Sequence, residues 1–437
     1  MEKTIGFRRA GILLAYPLAY AYVRLILNYW DSEWAAVAAY TSLSLVFIIV
    51  SEIVRRGRRP FSRKTAGETI FWYVIMLVAA FTAPFGPSCA LSMFGVHLCA
   101  VYSVLVSNEL LLGGQTGGLI PADLIHGFCV KAFAGFPNFV TDWTAFKRED
   151  DKKARNKAVA VLVIGFVVFM GIFFCIALSL ISKIDKDIED FLDTYLCTFF
   201  EYLRKIRFED LMFRLFLAIP VCFYLYGLMS RSAKSDGERE KQTGETLVSF
   251  FRKGRKVPVA ITSISAGFFV ALYIFFFIKR TAYFMGGFTG EVPEGKLVAY
   301  FAREGFFELV GIMAVNMCVY LTIYLFEKRN NAGRTTLPGR ILVTLLMSES
   351  IIFAVIAMSK LWLYYSIYGY TPKRMLAMWG TLALGFAALM SIITVNRGKS
   401  HFRLGVFFTA VSYVAVSILS WVLSTVSYKI EKSSKNP

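Results

Sequence analysis

The chain has 437 residues, 57% of them hydrophobic, with a formal net charge of +18 and a mean hydropathy of +0.56. That apolar content excludes an ordinary soluble domain. The positive charge does not argue for nucleic acid, because the Lys and Arg side chains sit in short links between apolar stretches and no basic domain of soluble size is present.

Eleven apolar stretches, each roughly 18–25 residues, meet the length a helix needs to cross about 30 Å of hydrocarbon. Lipid offers backbone groups no hydrogen-bond partners, so spans this long fold as helices. They fall at 10–30, 33–54, 69–85, 88–111, 157–182, 209–230, 257–279, 305–327, 340–362, 373–395 and 404–427. The expected fold class is all-α, a polytopic transmembrane helix bundle. Three regions are expected: an N-terminal four-span bundle over 1–112, an interfacial or re-entrant segment over 113–156, and a seven-span region over 157–437.

In chain order, the first stretch follows Arg8-Arg9 without a small-residue cleavage site and reads as a retained span. Six basic residues from Arg55 to Lys64 separate spans two and three. The 113–143 segment opens with paired glycines, continues as a helix from Pro121, and breaks at Gly135-Phe136-Pro137-Asn138. It is too apolar for a solvated loop and too broken for a span, which suits an interfacial or re-entrant position. Its glycines are not a phosphate cradle, since no Gly-Lys-Ser/Thr follows and no strand precedes them. A second basic cluster, Lys147 to Lys157, leads into span five.

Residues 184–206 place Ile188, Phe191, Leu192, Tyr195, Leu196, Phe199 and Leu203 at helical spacing opposite acidic side chains. That pattern predicts an amphipathic helix on the outer membrane surface. Basic residues then recur at 231–256, 328–340 and 397–403. Placing the N-terminus in the cytoplasm puts every basic link inside and the acidic 183–208 connection outside. The basic C-terminal tail is the exception, because an odd span count leaves it outside.

Charges within the spans are the candidate chemistry, since such residues face cavities or pair with one another. Arg24 and Arg214 lie near the outer ends of spans one and six. Arg303, Glu304 and Glu308 open span eight, Lys360 lies near the outer end of span nine, and Arg374 begins span ten. All come to a similar depth. For the arginines, snorkelling to headgroups competes with a paired site; glutamate reaches less far, which makes Glu308 the better candidate. Glu349, between Ser348 and Ser350, sits deep in span nine and needs a partner, a proton or water. It shares a helical face with Lys360, about 16 Å away at 1.5 Å per residue. An interhelical hydrogen bond competes with an ion pathway there. Trp362, Tyr364, Tyr365, Tyr368 and Tyr370 suit an interfacial aromatic belt.

The seven cysteines are scattered without metal-type spacing and suit packing. His126 and Cys129 stand one turn apart, yet two ligands are half a metal site. No metal, no other cofactor and no catalytic residue is expected.

The run Tyr300-Phe301-Ala302-Arg303-Glu304-Gly305-Phe306-Phe307, followed by Tyr364, Tyr365, Tyr368-Gly369-Tyr370-Thr371 and Arg374, resembles a bacterial multi-pass membrane family known as a domain of unknown function (the 4153/4173 group). Tyr283 also fits. The resemblance lies mainly over 200–437, with 120–143 a weaker match. It implies a bacterial cytoplasmic-membrane location and about a dozen helices, and supplies no substrate, cofactor or catalytic residue.

The expected function is a transport- or sensor-type module with an outward-facing polar vestibule between spans six and ten. Arg214, Arg303, Glu304, Glu308, Glu349, Lys360 and Arg374 are its ligand or ion pathway candidates. The lipid bilayer, a small or lipidic ligand and a membrane-protein partner are the expected partners. Two alternatives stand beside it. One is a membrane enzyme acting on a lipid-linked substrate at the outer leaflet, with Glu304 or Glu308 as base; the other is a non-catalytic membrane scaffold.

Overall fold

The computed structural model describes residues 2–27, 32–59, 62–85, 89–147, 209–290, 297–330 and 333–435. In chain order the helices are α1 (Glu2–Leu27), α2 (Glu33–Arg56), α3 (Ala66–Thr82), α4 (Cys89–Ser107), α5 (Ile120–Ile125), α6 (Ala132–Ala134) and α7 (Phe136–Lys147). They continue as α8 (Glu209–Lys234), α9 (Gly237–Lys253), α10 (Val259–Lys279), α11 (Thr281–Thr289), α12 (Val298–Phe326), α13 (Leu337–Tyr368), α14 (Pro372–Arg397) and α15 (Phe402–Lys435). No strand occurs among the described residues, and one isolated bridge joins Val257 to Glu327.

Nine of the described helices are long and apolar enough to cross a membrane. The chain is a multi-pass membrane protein. These nine match nine of the eleven expected spans; the expected span at 157–182 and the amphipathic helix at 184–206 lie outside the described residues. The span expected at 88–111 is shorter than its sequence suggests. The helix there, α4, ends at Ser107, four residues before the expected boundary. The cause is a Schellman-type stop, with Leu110 N donating to Leu105 O at 3.0 Å and Glu109 N to Val106 O at 3.1 Å. Glu109 takes the left-handed position (φ 58°) that glycine usually holds, so no residue-type signal announced the stop.

Residues 113–147 form a turn and a run of broken helices, with a π-helical turn at His126–Lys131 between α5 and α6. The expected interfacial or re-entrant segment is thus helical and interrupted. The link between spans six and seven, expected only as a basic connection, folds as α9.

The chain forms two compact units. The first comprises Met1–Phe81, Phe94–Leu110 and Pro121–Gly237. Here α8 packs on α1, α2, α6 and α7. Close approach requires small residues: a Cβ on Gly227 would meet Ala132 O at 2.5 Å and Gly135 C at 3.0 Å. At one end of this unit the Asp142 carboxylate pairs with Arg58 and accepts from Tyr226 Oη at 2.9 Å and Lys234 Nζ at 3.0 Å. That cluster ties α7 to α8 and to the end of α2. His97 lies between two hydroxyls, with Tyr22 Oη 2.9 Å from Nδ1 and Tyr224 Oη 3.1 Å from Nε2. Both ring nitrogens therefore have partners.

The second unit comprises Thr82–Met93, Leu111–Ile120 and Glu238–Pro437. Its hub is α13, 32 residues long, which packs against α10, α11, α12 and α14. Pro338 starts α13 in its first turn, and Gly369 (φ 72°) ends it with N–H to Tyr365 O at 2.8 Å. Thr371 then caps α14, whose N1 position is Pro372. The apolar core between these helices includes Val270, Tyr273, Phe284, Phe306, Leu309, Met313, Phe353 and Ala357.

Candidate functional site

Three helices of the second unit bring the candidate site together. Along α12, Phe301, Gly305 and Glu308 recur at intervals of four and three residues and so share one face. On α11, Tyr283 and Gly287 are one turn apart. From α13, Lys360 projects between them and is fully buried (0% exposed).

The Lys360 ammonium lies 3.5 Å from the Tyr283 ring centroid and 4.0 Å from that of Phe301. The two rings meet edge to face, with centroids 5.2 Å apart. Removing an ammonium from water costs several kcal/mol. A desolvated cation–π contact returns about 2 kcal/mol, so two rings offset much of that cost. Glycine makes the geometry possible. A Cβ on Gly305 would stand 2.7 Å from Tyr283 Oη and collide with the Lys360 ammonium, and one on Gly287 would meet Lys360 Cγ at 3.0 Å.

Tyr283 connects this box to acid. Its hydroxyl donates to Glu308 Oε2 at 3.1 Å, and the Glu304 charge also acts on it. Burial first, then the Glu308 charge, push the Tyr283 hydroxyl well above its ordinary pKa, which keeps it a donor. The Arg280 guanidinium lies 5.7 Å from the Tyr283 ring and 5.5 Å from that of Phe276. The result is a chain from a buried cation through an aromatic hydroxyl to an exposed carboxylate.

The expected site residues divide accordingly. Glu304, Glu308 and Lys360 come together around Tyr283. Arg303 is exposed on α12. Arg374 instead holds the end of α13: its guanidinium donates to Tyr368 O at 3.0 Å and to Gly369 O, and lies 4.1 Å from the Tyr364 ring centroid. Arg214 belongs to the first unit. Glu349 is buried further along α13, on the core side.

Tyr283, Phe301, Gly305, Gly287 and Arg280 were not singled out as site residues by charge alone. The available signal was indirect: Tyr283, Phe301 and Gly305 all fall in the elements that carry the family resemblance. Among the aromatic belt residues, Trp362 stacks on Tyr365 with centroids 5.6 Å apart, while the Tyr370 hydroxyl donates to Ser420 O at 2.8 Å and so fastens to α15.

The family model described as Domain of unknown function (DUF4153) matches residues 69–437. The chain belongs to that family. The match takes in the whole Lys360 box, so the box is part of the DUF4153 domain. No curated protein and no solved structure matches the chain.

Proposed function

We propose that this DUF4153 protein is a transport- or sensor-type module that binds a small or lipidic ligand with a charged head at Glu304 and Glu308. In this reading Tyr283 and Lys360 sense its arrival. Threaded with the N-terminus inside, the site lies in the outer half of the bilayer of a cytoplasmic membrane. The observation that supports the reading is the buried Lys360 ammonium, held by two aromatic faces and linked through Tyr283 to an exposed carboxylate. A lysine needed only for packing is better replaced by an apolar side chain, because the desolvation cost then vanishes.

The test is a thermal-shift screen of the purified protein against small cations, small anions and lipid headgroup analogues. At least one of these classes is expected to stabilise the wild type, with the shift lost in Glu308→Gln and Tyr283→Phe. A shift retained unchanged in both variants places the ligand elsewhere and refutes the proposal.

A further inference from the structure

Below the Lys360 box, the helix core of the second unit encloses Glu349 Oε2 and Asn316 Oδ1, each without a hydrogen-bond partner among the described residues. Glu349 is 7% exposed, and its Oε2 atom is enclosed and accepts or donates no hydrogen bond. On the facing helix, Asn316 is 0% exposed; its Nδ2 donates to Ser350 Oγ at 2.9 Å, and its Oδ1 is enclosed without a partner. Ser350 Oγ in turn lies 3.2 Å from Leu346 O, so its own proton is committed to the α13 backbone.

Among the described residues of α13 and of the helices packed on it, no basic side chain lies at the level of Glu349. Along α13 itself the nearest are Arg340, nine residues before, and Lys360, eleven after, which places them about 14 and 16 Å along the axis. The Lys360 ammonium is moreover turned toward the rings of Tyr283 and Phe301. Within α10 no charged residue precedes Lys279, and α11 carries none. Within α12 none lies between Glu308 and Glu327, and within α14 none between Arg374 and Arg397. The titratable groups on the helices packed against this level of α13 are all neutral in ordinary water. They are Tyr273 on α10, Tyr283 on α11, and Cys318, Tyr320 and Tyr324 on α12; α14 offers none. Tyr273 lies close enough for the Glu349 charge to act on its hydroxyl.

An ionised carboxylate set among apolar helices without counter-charge costs several kcal/mol. Among the described residues Glu349 makes no hydrogen bond that would mark it as a purely structural acid, and its Oε2 is enclosed without a partner. We propose that Glu349 is a proton-exchange site in the core of the family domain, with the hydrated proton as its ligand. The step is a simple transfer: the carboxylate accepts a proton from hydronium, giving the neutral acid and water, and returns it in reverse. The empty Asn316 Oδ1 supplies a second acceptor on the facing helix for a proton-bearing group entering this level. The proposal does not rest on ligand binding at Glu308, and its test reads Glu349 alone.

Dicyclohexylcarbodiimide tests it. This apolar reagent adds to a protonated carboxyl within the membrane: the acid proton passes to a carbodiimide nitrogen, the carboxylate oxygen bonds to the central carbon, and acyl migration leaves a stable N-acylurea. The full-length protein in lipid nanodiscs is treated at mildly acidic and mildly alkaline pH, and peptide mass spectrometry locates the adduct. The expected result is an adduct on Glu349 that forms several-fold faster at the acidic pH, is unaffected by sodium or lithium, and is absent in Glu349→Gln. The wild-type peptide map is decisive even if the variant folds poorly. No adduct on Glu349, or labelling independent of pH, overturns the proposal. Protection by sodium or lithium also overturns it, since the occupant would then be a metal cation.

Discussion

Gly305→Ala isolates the geometry on which the site depends, because it adds one methyl group where the Lys360 box has no room. The new Cβ would sit 2.7 Å from Tyr283 Oη and 3.0 Å from Lys360 Cδ, besides colliding with the ammonium. Carbon contacts are at their optimum near 3.5–4.0 Å, so at least two side chains must move. The atoms that clash most closely are the far ends of their side chains, Lys360 Nζ and Tyr283 Oη, which keeps the damage in the range of a small overpacking, about 1–3 kcal/mol. For a cooperative body of this size that corresponds to a drop in Tm of about 2–12 °C. Gly311, six residues along the same helix, is the internal control, because a Cβ there meets nothing within 4 Å. Gly311→Ala removes backbone freedom from the unfolded chain and should be neutral or stabilising by up to about 1 kcal/mol. The assay is thermal unfolding of both variants in the same detergent or nanodisc, followed by intrinsic fluorescence. Adding Lys360→Met to Gly305→Ala removes the atom in the methyl group's path and should restore part of the loss. Equal behaviour of the two alanine variants would refute the packing argument.

Two further outcomes follow from contacts elsewhere. Tyr226→Phe removes a nearly buried hydroxyl donated to the Asp142 carboxylate and should lower stability by about 1–3 kcal/mol; an unchanged unfolding midpoint would mean that Asp142 is held by Arg58 and Lys234 alone. Arg374→Ala strips the donors from Tyr368 O and Gly369 O, so hydrogen exchange should quicken severalfold over residues 364–369 while the middle of α13 keeps its protection. Exchange that stays unchanged there would show that Gly369 ends the helix without help from the guanidinium.

The spans were legible because hydropathy over twenty residues is a strong signal and lipid leaves helices as the consistent solution. Where the pattern overshot, the reason is local. Residues Asn108 to Leu112 are apolar enough to extend α4, and a left-handed glutamate stops it nonetheless. The α9 helix was missed because its sequence, Gly237–Lys253, is polar and basic and reads as a link. Charge alone picked out Glu304, Glu308 and Lys360, yet could not say that the Lys360 ammonium lies against the rings of Tyr283 and Phe301. That depends on α11, a nine-residue helix too short to announce itself as a span. Arg374 was misleading for a related reason. Its depth matched the acids, but its nearest polar partners are the two carbonyls that end α13, which sequence position alone does not reveal. The depth of Glu349 was plain from its place in span nine, whereas the unpartnered Asn316 oxygen required the pairing of α12 with α13.

The most direct test of the account is a double-mutant cycle between Lys360→Met and Tyr283→Leu, read as unfolding free energy in lipid nanodiscs. The account predicts that the two substitutions are coupled by about 2 kcal/mol, the worth of a desolvated cation–π contact. Effects that add to within about 0.5 kcal/mol would contradict it, because the ammonium and the ring would then not be in contact.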